Sequence, residues 1–210
     1  LARVVNAEAP GAMARAAAET GAAFVHLSTD YVFDGAGDSP WLVDAPTGPL
    51  GAYGRTKLAG EEAVRMAGGA HAILRTAWIF SAHGSNFVKT MLRLSQSRDR
   101  LSVVNDQVGG PTPASAIATA CLAIGTNLGD RPETSGTYHF AGAPEVSWAE
   151  FARAIFARAG RNVKVTGIPS TAYPTAAKRP ANSRLDCSLT ETVFGIERPD
   201  WRPGLDAVLD

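Results

Sequence analysis

This 210-residue chain predicts an α/β fold, a parallel sheet wound on both faces by helices, and three observations carry that expectation. Short apolar runs bounded by turn residues alternate with longer helical stretches, which is the pattern of strand-helix-strand units. The first such run, Ala23-Phe24-Val25-His26-Leu27, leads into Ser28, Thr29 and Asp30, and sites in doubly wound sheets form at strand ends of this kind. Tyr53 and Lys57, four residues apart, then fall on one face of the next helix.

Taken in order, residues 7–20 are alanine-rich and read as a helix leading into the first strand. A helix begins at Tyr53 and runs to Ala67, where Gly68-Gly69 ends it. Residues 72–80 read as one buried strand, and residues 86–97 as a helix with Phe87, Met91 and Leu92 or Leu94 on its apolar side. A short strand at 101–104 precedes a helix at 113–124, whose first turn tolerates Pro113. Residues 137–142 form a further strand of the main sheet. Ser147 and Glu150 have capping-box spacing for a helix reaching about residue 159, and 163–168 suggests a strand. Prolines, serines and threonines dominate 169–183, and no internal repeat stands out.

Composition narrows the function classes. Hydrophobic residues make up 45% of the chain, enough to bury a core, and the 20 basic residues are balanced by 20 acidic ones. That balance argues against nucleic acid or an anionic membrane as the main partner. No apolar run reaches bilayer-spanning length, and the start carries no signal-peptide pattern. Cys121 and Cys187 stand far apart and outside any metal-ligand spacing, which fits a reduced, cytoplasmic protein. His26, His71, His83 and His139 do not cluster in sequence. His26 and His139, inside apolar runs, are expected to be satisfied core histidines, and no metal site is assigned.

The chemistry is expected around Tyr53. An ammonium one turn along favours proton release from a phenol, and a phenol so tuned is a usable proton donor near neutral pH. Tyr-x-x-x-Lys alone is a weak signal, because such pairs also occur on solvated helix faces. Likewise Ser28, Thr29 and Asp30 are residues that cap or turn a chain whatever else they do.

The segments carrying these residues resemble a known family. Val25-His26-Leu27-Ser28-Thr29-Asp30-Tyr31-Val32-Phe33-Asp34-Gly35 and Tyr53-Gly54-Arg55-Thr56-Lys57-Leu58-Ala59-Gly60-Glu61 look like dTDP-4-dehydrorhamnose reductase, an extended short-chain dehydrogenase/reductase. Arg75-Thr76-Ala77-Trp78, Asn86-Phe87-Val88-Lys89-Thr90-Met91, Val104-Asn105-Asp106-Gln107-Val108-Gly109-Gly110-Pro111-Thr112, Tyr173-Pro174 and Arg179-Pro180-Ala181-Asn182-Ser183-Arg184-Leu185 follow in the family's order. The similarity covers nearly all of the chain. One departure stands out: no Gly-rich pyrophosphate turn follows a strand anywhere, so the sequence reads as the C-terminal part of a longer reductase with a partial Rossmann-like sheet.

What the resemblance implies is specific. Residues 1–81 and 109–142 would belong to the NAD(P)-binding domain, and 82–108 and 143–210 to a smaller α/β substrate-binding lobe. The reaction would be reduction of the C4 ketone of dTDP-4-dehydro-L-rhamnose by hydride from NADPH, with NADH the alternative donor. Tyr53 would protonate the C4 oxygen, Lys57 would hold the nicotinamide ribose and Thr29 would hydrogen-bond the same oxygen. Ser28 joins Tyr53 and Lys57 as a cofactor contact. The dTDP-sugar would meet Thr29, Tyr31, Trp78 as an apolar wall, Asn86 and Arg179 at the diphosphate, and Gln107. Mg2+ and a homodimer are compatible with the resemblance but assigned by no residue. Two other readings share the fold: a non-catalytic dinucleotide-binding regulatory subunit, and a related nucleotide-sugar epimerase or dehydratase.

Overall fold

The computed structural model describes residues 1–175 and 177–209. A π-helical turn, Val4–Glu8, runs into α1 (Ala9–Thr20), which Gly21 ends in the left-handed conformation that glycine adopts without strain. Then come β1 (Phe24–Thr29), α2 (Ala52–Ala67) and β2 (His71–Thr76). β3 (Ile79–Phe80), α3 (Phe87–Leu94) and β4 (Arg100–Val104) follow. β5 (Val108–Gly109), β6 (Thr112–Pro113), α4 (Ala114–Asp130) and β7 (Gly136–His139) come next. The chain finishes with β8 (Val146–Ser147), α5 (Trp148–Arg158), β9 (Lys164–Ile168), β10 (Asn182–Ser183), α6 (Ser188–Phe194) and α7 (Trp201–Leu209).

β1, β2 and β7 form a parallel sheet in the order β1-β2-β7, with Phe24 opposite His71 and Ala72 opposite Gly136. Alternation along β2 explains why helices cover both faces. Ile73 packs with Ala14 of α1 and Val64 of α2, whereas Ala72 and Leu74 pack with Ile117, Ala120 and Ile124 of α4. Ile73 and Leu74 are fully buried, each worth roughly 1.5–3 kcal/mol relative to an exposed side chain.

A second body has its own core. β4 and β9 pair in parallel from Arg100↔Lys164 to Val104↔Ile168. Leu101 and Val103 of β4 meet Phe151, Ile155 and Phe156 of α5, Val88 and Met91 of α3, and Trp201 and Leu205 of α7. α5 starts on a complete capping box between Ser147 and Glu150. A third sheet, β10-β5-β8, brings residues of the proline-rich segment beside Val108–Gly109.

The expected strand 72–80 is two strands in different sheets. Trp78 has a φ of 51°, a left-handed conformation uncommon for a side chain of this size, and the chain turns there. Thr112 fastens the break, donating its hydroxyl to the Ala77 carbonyl and its backbone N–H to the Trp78 carbonyl. Ile79–Phe80 then pairs with Thr112–Pro113. The expected helix at 113–124 extends to Asp130, with Pro113 just outside it as the N-cap. No helix among the described residues is long and apolar enough to cross a membrane.

Candidate active site

The site is built where α2 crosses the C-terminal end of β1. Gly54 allows that approach, since a Cβ there would lie 2.1 Å from the Tyr31 carbonyl oxygen, and Gly60 lets the same helix close on the Val4–Glu8 turn, where a Cβ would lie 2.0 Å from the Asn6 carbonyl oxygen. After β1 the chain makes a short 3-10 turn, Asp30–Val32, in which the Thr29 hydroxyl accepts from the Tyr31 N–H at 3.2 Å. The Tyr31 and Tyr53 rings then meet edge to face, centroids 5.7 Å apart, a favoured aromatic arrangement.

Thr29, Tyr31 and Tyr53 are therefore one cluster, and its proton inventory is informative. The Thr29 hydroxyl donates to Asp30 Oδ1 at 3.0 Å. A hydroxyl has one proton, and in the unliganded chain Asp30 takes it. The expected hydrogen bond from Thr29 to a ketone thus requires Thr29 to release Asp30. Asp30 itself is buried, and burial pushes its carboxyl up to about 6 against hydrogen bonding by Ser183 and Thr29.

Tyr53 is 50% exposed. Its phenol sits above the ordinary tyrosine value, raised first by burial of part of the ring and then by the Asp30 charge, while hydrogen bonding with Thr29 opposes the rise. The Lys57 ammonium, one helical turn from the phenol, donates to the Leu27 carbonyl at 2.5 Å, and partial burial lowers its pKa while Glu61 raises it.

Ser28, expected at the cofactor, is buried and donates its hydroxyl to Glu61 Oε1 at 2.6 Å. Glu61 lies two helical turns beyond Tyr53 and has no exposed surface. It accepts from Arg75 Nε at 2.9 Å, Arg75 Nη2 at 2.7 Å and Arg65 Nη2 at 2.8 Å. Burial alone would raise this carboxyl, but the Arg75 guanidinium, Ser28 and Arg65 hold it below its ordinary value. Arg75 also donates to the Val43 carbonyl and stands over the Phe33 ring, 5.1 Å from its centroid. His139 is the satisfied core histidine expected, bonded to the Trp41 carbonyl. His26 is not: its Nε2 is buried without a partner among the described residues, and burial lowers its pKa to about 4.

Two of the remaining candidates line a cleft of about 1410 Å3, and Trp78 and Asn86 lie behind its wall, next to the lining residues Trp148 and Phe87. Gln107 and Arg179 line it, with Asp34, Phe87, Arg100 and Trp148, and the Arg179 charge reaches Tyr31. Trp78 stacks face to face on Trp148, centroids 3.4 Å apart, and lies against Gly109. Asn86 serves as the N-cap of α3: its side chain accepts from the Lys89 N–H and donates to the Ser81 carbonyl. Among the described residues no three His, Cys, Asp or Glu side chains form a metal-holding group. The spacing G-x-x-G-x-x-G occurs at Gly48, Gly51 and Gly54, but it enters α2 from a loop, and its last glycine is pressed against the Tyr31 carbonyl. The exposed edge of α2, with a phenol and an ammonium one turn apart, fits the nicotinamide-ribose end of a dinucleotide.

The RmlD substrate binding domain family matches residues 1–210. A dTDP-4-dehydrorhamnose reductase of Sinorhizobium fredii is 47% identical over 203 residues, covering 94% of this chain and 69% of that protein. The chain belongs to the dTDP-4-dehydrorhamnose reductase family. A solved dTDP-4-dehydrorhamnose reductase from Clostridium acetobutylicum superposes with a TM-score of 0.90 at 39% identity, covering 98% of this chain and 71% of that one. Another, from Bacillus anthracis in complex with NADP, gives 0.83 at 33% identity, covering 97% and 70%. The Rossmann-like character of the β1-β2-β7 layer is thereby shared with solved members of the family.

Within this reductase family frame, sequence reasoning missed the roles of Glu61 and Arg75. A signal for each was present. Glu61 repeats the four-residue step of Tyr53 and Lys57, so it lies on the same face, and Arg75 is a lone charge after the apolar Ala72-Ile73-Leu74, which demands a buried partner.

Proposed function

We propose that this chain catalyses reduction of the C4 ketone of dTDP-4-dehydro-L-rhamnose to dTDP-L-rhamnose, with Tyr53 as the proton donor. The observation carrying the reading is the Thr29-Tyr31-Tyr53 cluster at the end of β1, in a chain whose curated relatives bear the reductase name at 42–47% identity. The nicotinamide, when bound, supplies the hydride; NADPH is the proposed form. Lys57 holds the nicotinamide ribose, and its ammonium offsets the negative charge that Tyr53 acquires as its proton leaves for the C4 oxygen. The half-exposed phenol regains its proton from water after giving it to the ketone oxygen.

The sugar nucleotide occupies the cleft, with Arg179 offering a planar fork of donors to the diphosphate and Gln107 a further polar contact. Trp78, stacked on Trp148, stiffens the cleft wall. Residues 1–81 and 109–142 act as the cofactor side, and 82–108 and 143–210 as the substrate lobe. The cytoplasm, where nucleotide sugars and reduced cofactor meet, is the proposed location.

The test follows nicotinamide absorbance with dTDP-4-dehydro-L-rhamnose as the substrate. Tyr53→Phe is expected to lower kcat by on the order of 10²–10⁴-fold while KM for the sugar nucleotide changes little. A variant that keeps most of its turnover moves the proton donor to another group.

A further inference from the structure

α2 is attached to β1 by three side chains on successive turns. Tyr53 stands against Thr29, Lys57 Nζ bonds the Leu27 carbonyl at 2.5 Å, and Glu61 Oε1 receives the Ser28 hydroxyl at 2.6 Å. The two lower rungs grip consecutive residues of one strand from consecutive turns of one helix. The lowest rung is also the most fixed, because Glu61 is wholly buried and takes four donor groups from β1, β2 and α2. We propose that Glu61 is a positioning residue for the reduction: its grip on Ser28, beside that of Lys57 on Leu27, sets where Tyr53 stands against Thr29 and puts a carboxylate one turn from Lys57. The inference rests on the reductase reading given above.

The alternative is an ion pair that only stabilises the fold. Buried pairs are poor stabilisers compared with well-packed apolar residues, because desolvation consumes most of the attraction. An apolar contact between α2 and β2 would hold the layers together equally well. What a carboxylate adds is direction toward Ser28 and negative charge one turn from Lys57. The charged and titratable groups around it are Arg75 from β2, Arg65 and Lys57 from α2, His26 from β1 and His139 from β7. Burial lowers both histidines to about 4, so near pH 7 Glu61 faces cations only.

The sign of the effect follows. Burial lowers the Lys57 pKa and Glu61 raises it, so removing the carboxylate charge lets Lys57 lose its proton at a lower pH. Glu61→Gln is expected to reduce kcat by on the order of tenfold to a hundredfold, the scale of an ångström-level misplacement. KM for the sugar nucleotide should stay within about threefold, and the alkaline limb of the kcat profile should move to lower pH.

The chain has four lysines, so Lys57 can be followed directly by NMR titration of its side chain in cofactor-free protein. Its titration is expected at lower pH in Glu61→Gln than in the wild type, and near the wild-type position in Glu61→Asp. The double variant Glu61→Gln/Arg75→Met removes the unpaired buried cation and restores thermal stability. If the pair has a positioning role, the double variant still shows the low kcat and the shifted Lys57 titration. Recovery of both along with stability, or a folded Glu61→Gln with wild-type kcat and Lys57 titration, overturns the proposal. In the same assay, wild-type protein that leaves NADPH unconsumed overturns the reductase reading instead, an outcome the Lys57 titration distinguishes from a failure of Glu61.

Discussion

Gly54→Ala tests whether the spacing between α2 and the Asp30–Val32 turn governs the cluster. The added methyl would lie 2.1 Å from the Tyr31 oxygen, 3.0 Å from its carbonyl carbon and 2.9 Å from Pro49 Cβ. Ordinary contact begins near 3.4 Å, so helix and turn must separate by 3.4 − 2.1, or about 1.3 Å. The obstacle is backbone, which does not swing aside as a side-chain tip does. Overpacking of this kind costs about 1–3 kcal/mol, and the better helix propensity of alanine returns about 1 kcal/mol. A net loss of up to about 2 kcal/mol lowers Tm by up to roughly 8 °C in a chain of this size.

The kinetic effect should be larger than the loss of stability suggests. Tyr53 is the residue before Gly54, and Tyr31 carries both the obstructing carbonyl and the ring that packs on Tyr53. The separation therefore falls on the Thr29-Tyr53 pair, and a misplacement near 1 Å costs on the order of 100-fold in rate. Thermal melts and steady-state rates with NADPH and the sugar nucleotide read the two effects. Gly51→Ala is the control: it lies one turn earlier with nothing within 4 Å of the added methyl, and as an N-cap change it should cost no more than about 1 kcal/mol. A Gly54→Ala protein with kcat within about twofold of the control refutes the argument that this contact sets the phenol.

Two further outcomes follow from the electrostatics and the caps. Asp30 binds its proton more tightly in the folded chain, up to about 6 against an ordinary 3.8, so the fold loses stability as pH rises through that window. The difference amounts to on the order of 3 kcal/mol at pH 8, and Asp30→Asn should raise Tm at pH 8 while leaving it nearly unchanged at pH 4; equal shifts at both pH values would contradict a buried charge. Ser147→Ala removes the hydroxyl that accepts from the Glu150 N–H on α5 while leaving the Ser147 N–H bonded to the Glu150 carboxylate, and should cost about 1 kcal/mol. A chemical-denaturation midpoint unchanged from the wild type would show that the apolar face of α5 holds the helix without its cap.

The parts of the fold that were legible in the sequence are those where local chemistry and tertiary packing agree. The capping box at Ser147, the glycine stop at Gly68 and the apolar run of β1 are local statements, and the structure leaves each where the residues put it. Residues 72–80 failed because an apolar run specifies burial and not which sheet buries it. Thr112, more than thirty residues away, decides that the chain turns at Trp78. Thr29, Tyr31 and Tyr53 were legible as candidates through helical spacing and family likeness. Their proton arrangement was not, since it depends on Asp30 competing for the Thr29 hydrogen.

The same distinction explains Lys57. Spacing on a helix says which side chains are neighbours, and it correctly puts the ammonium one turn from the phenol. It says nothing of competing acceptors, and the Leu27 carbonyl at the sheet edge is one. A lysine tethered to a strand carbonyl keeps a fixed address near the end of β1, one turn from the phenol. Burial, with the Asp30 charge behind it, holds the Tyr53 phenol above its ordinary value, so in the proposed reduction the phenol gives up its proton only as negative charge develops on the ketone oxygen.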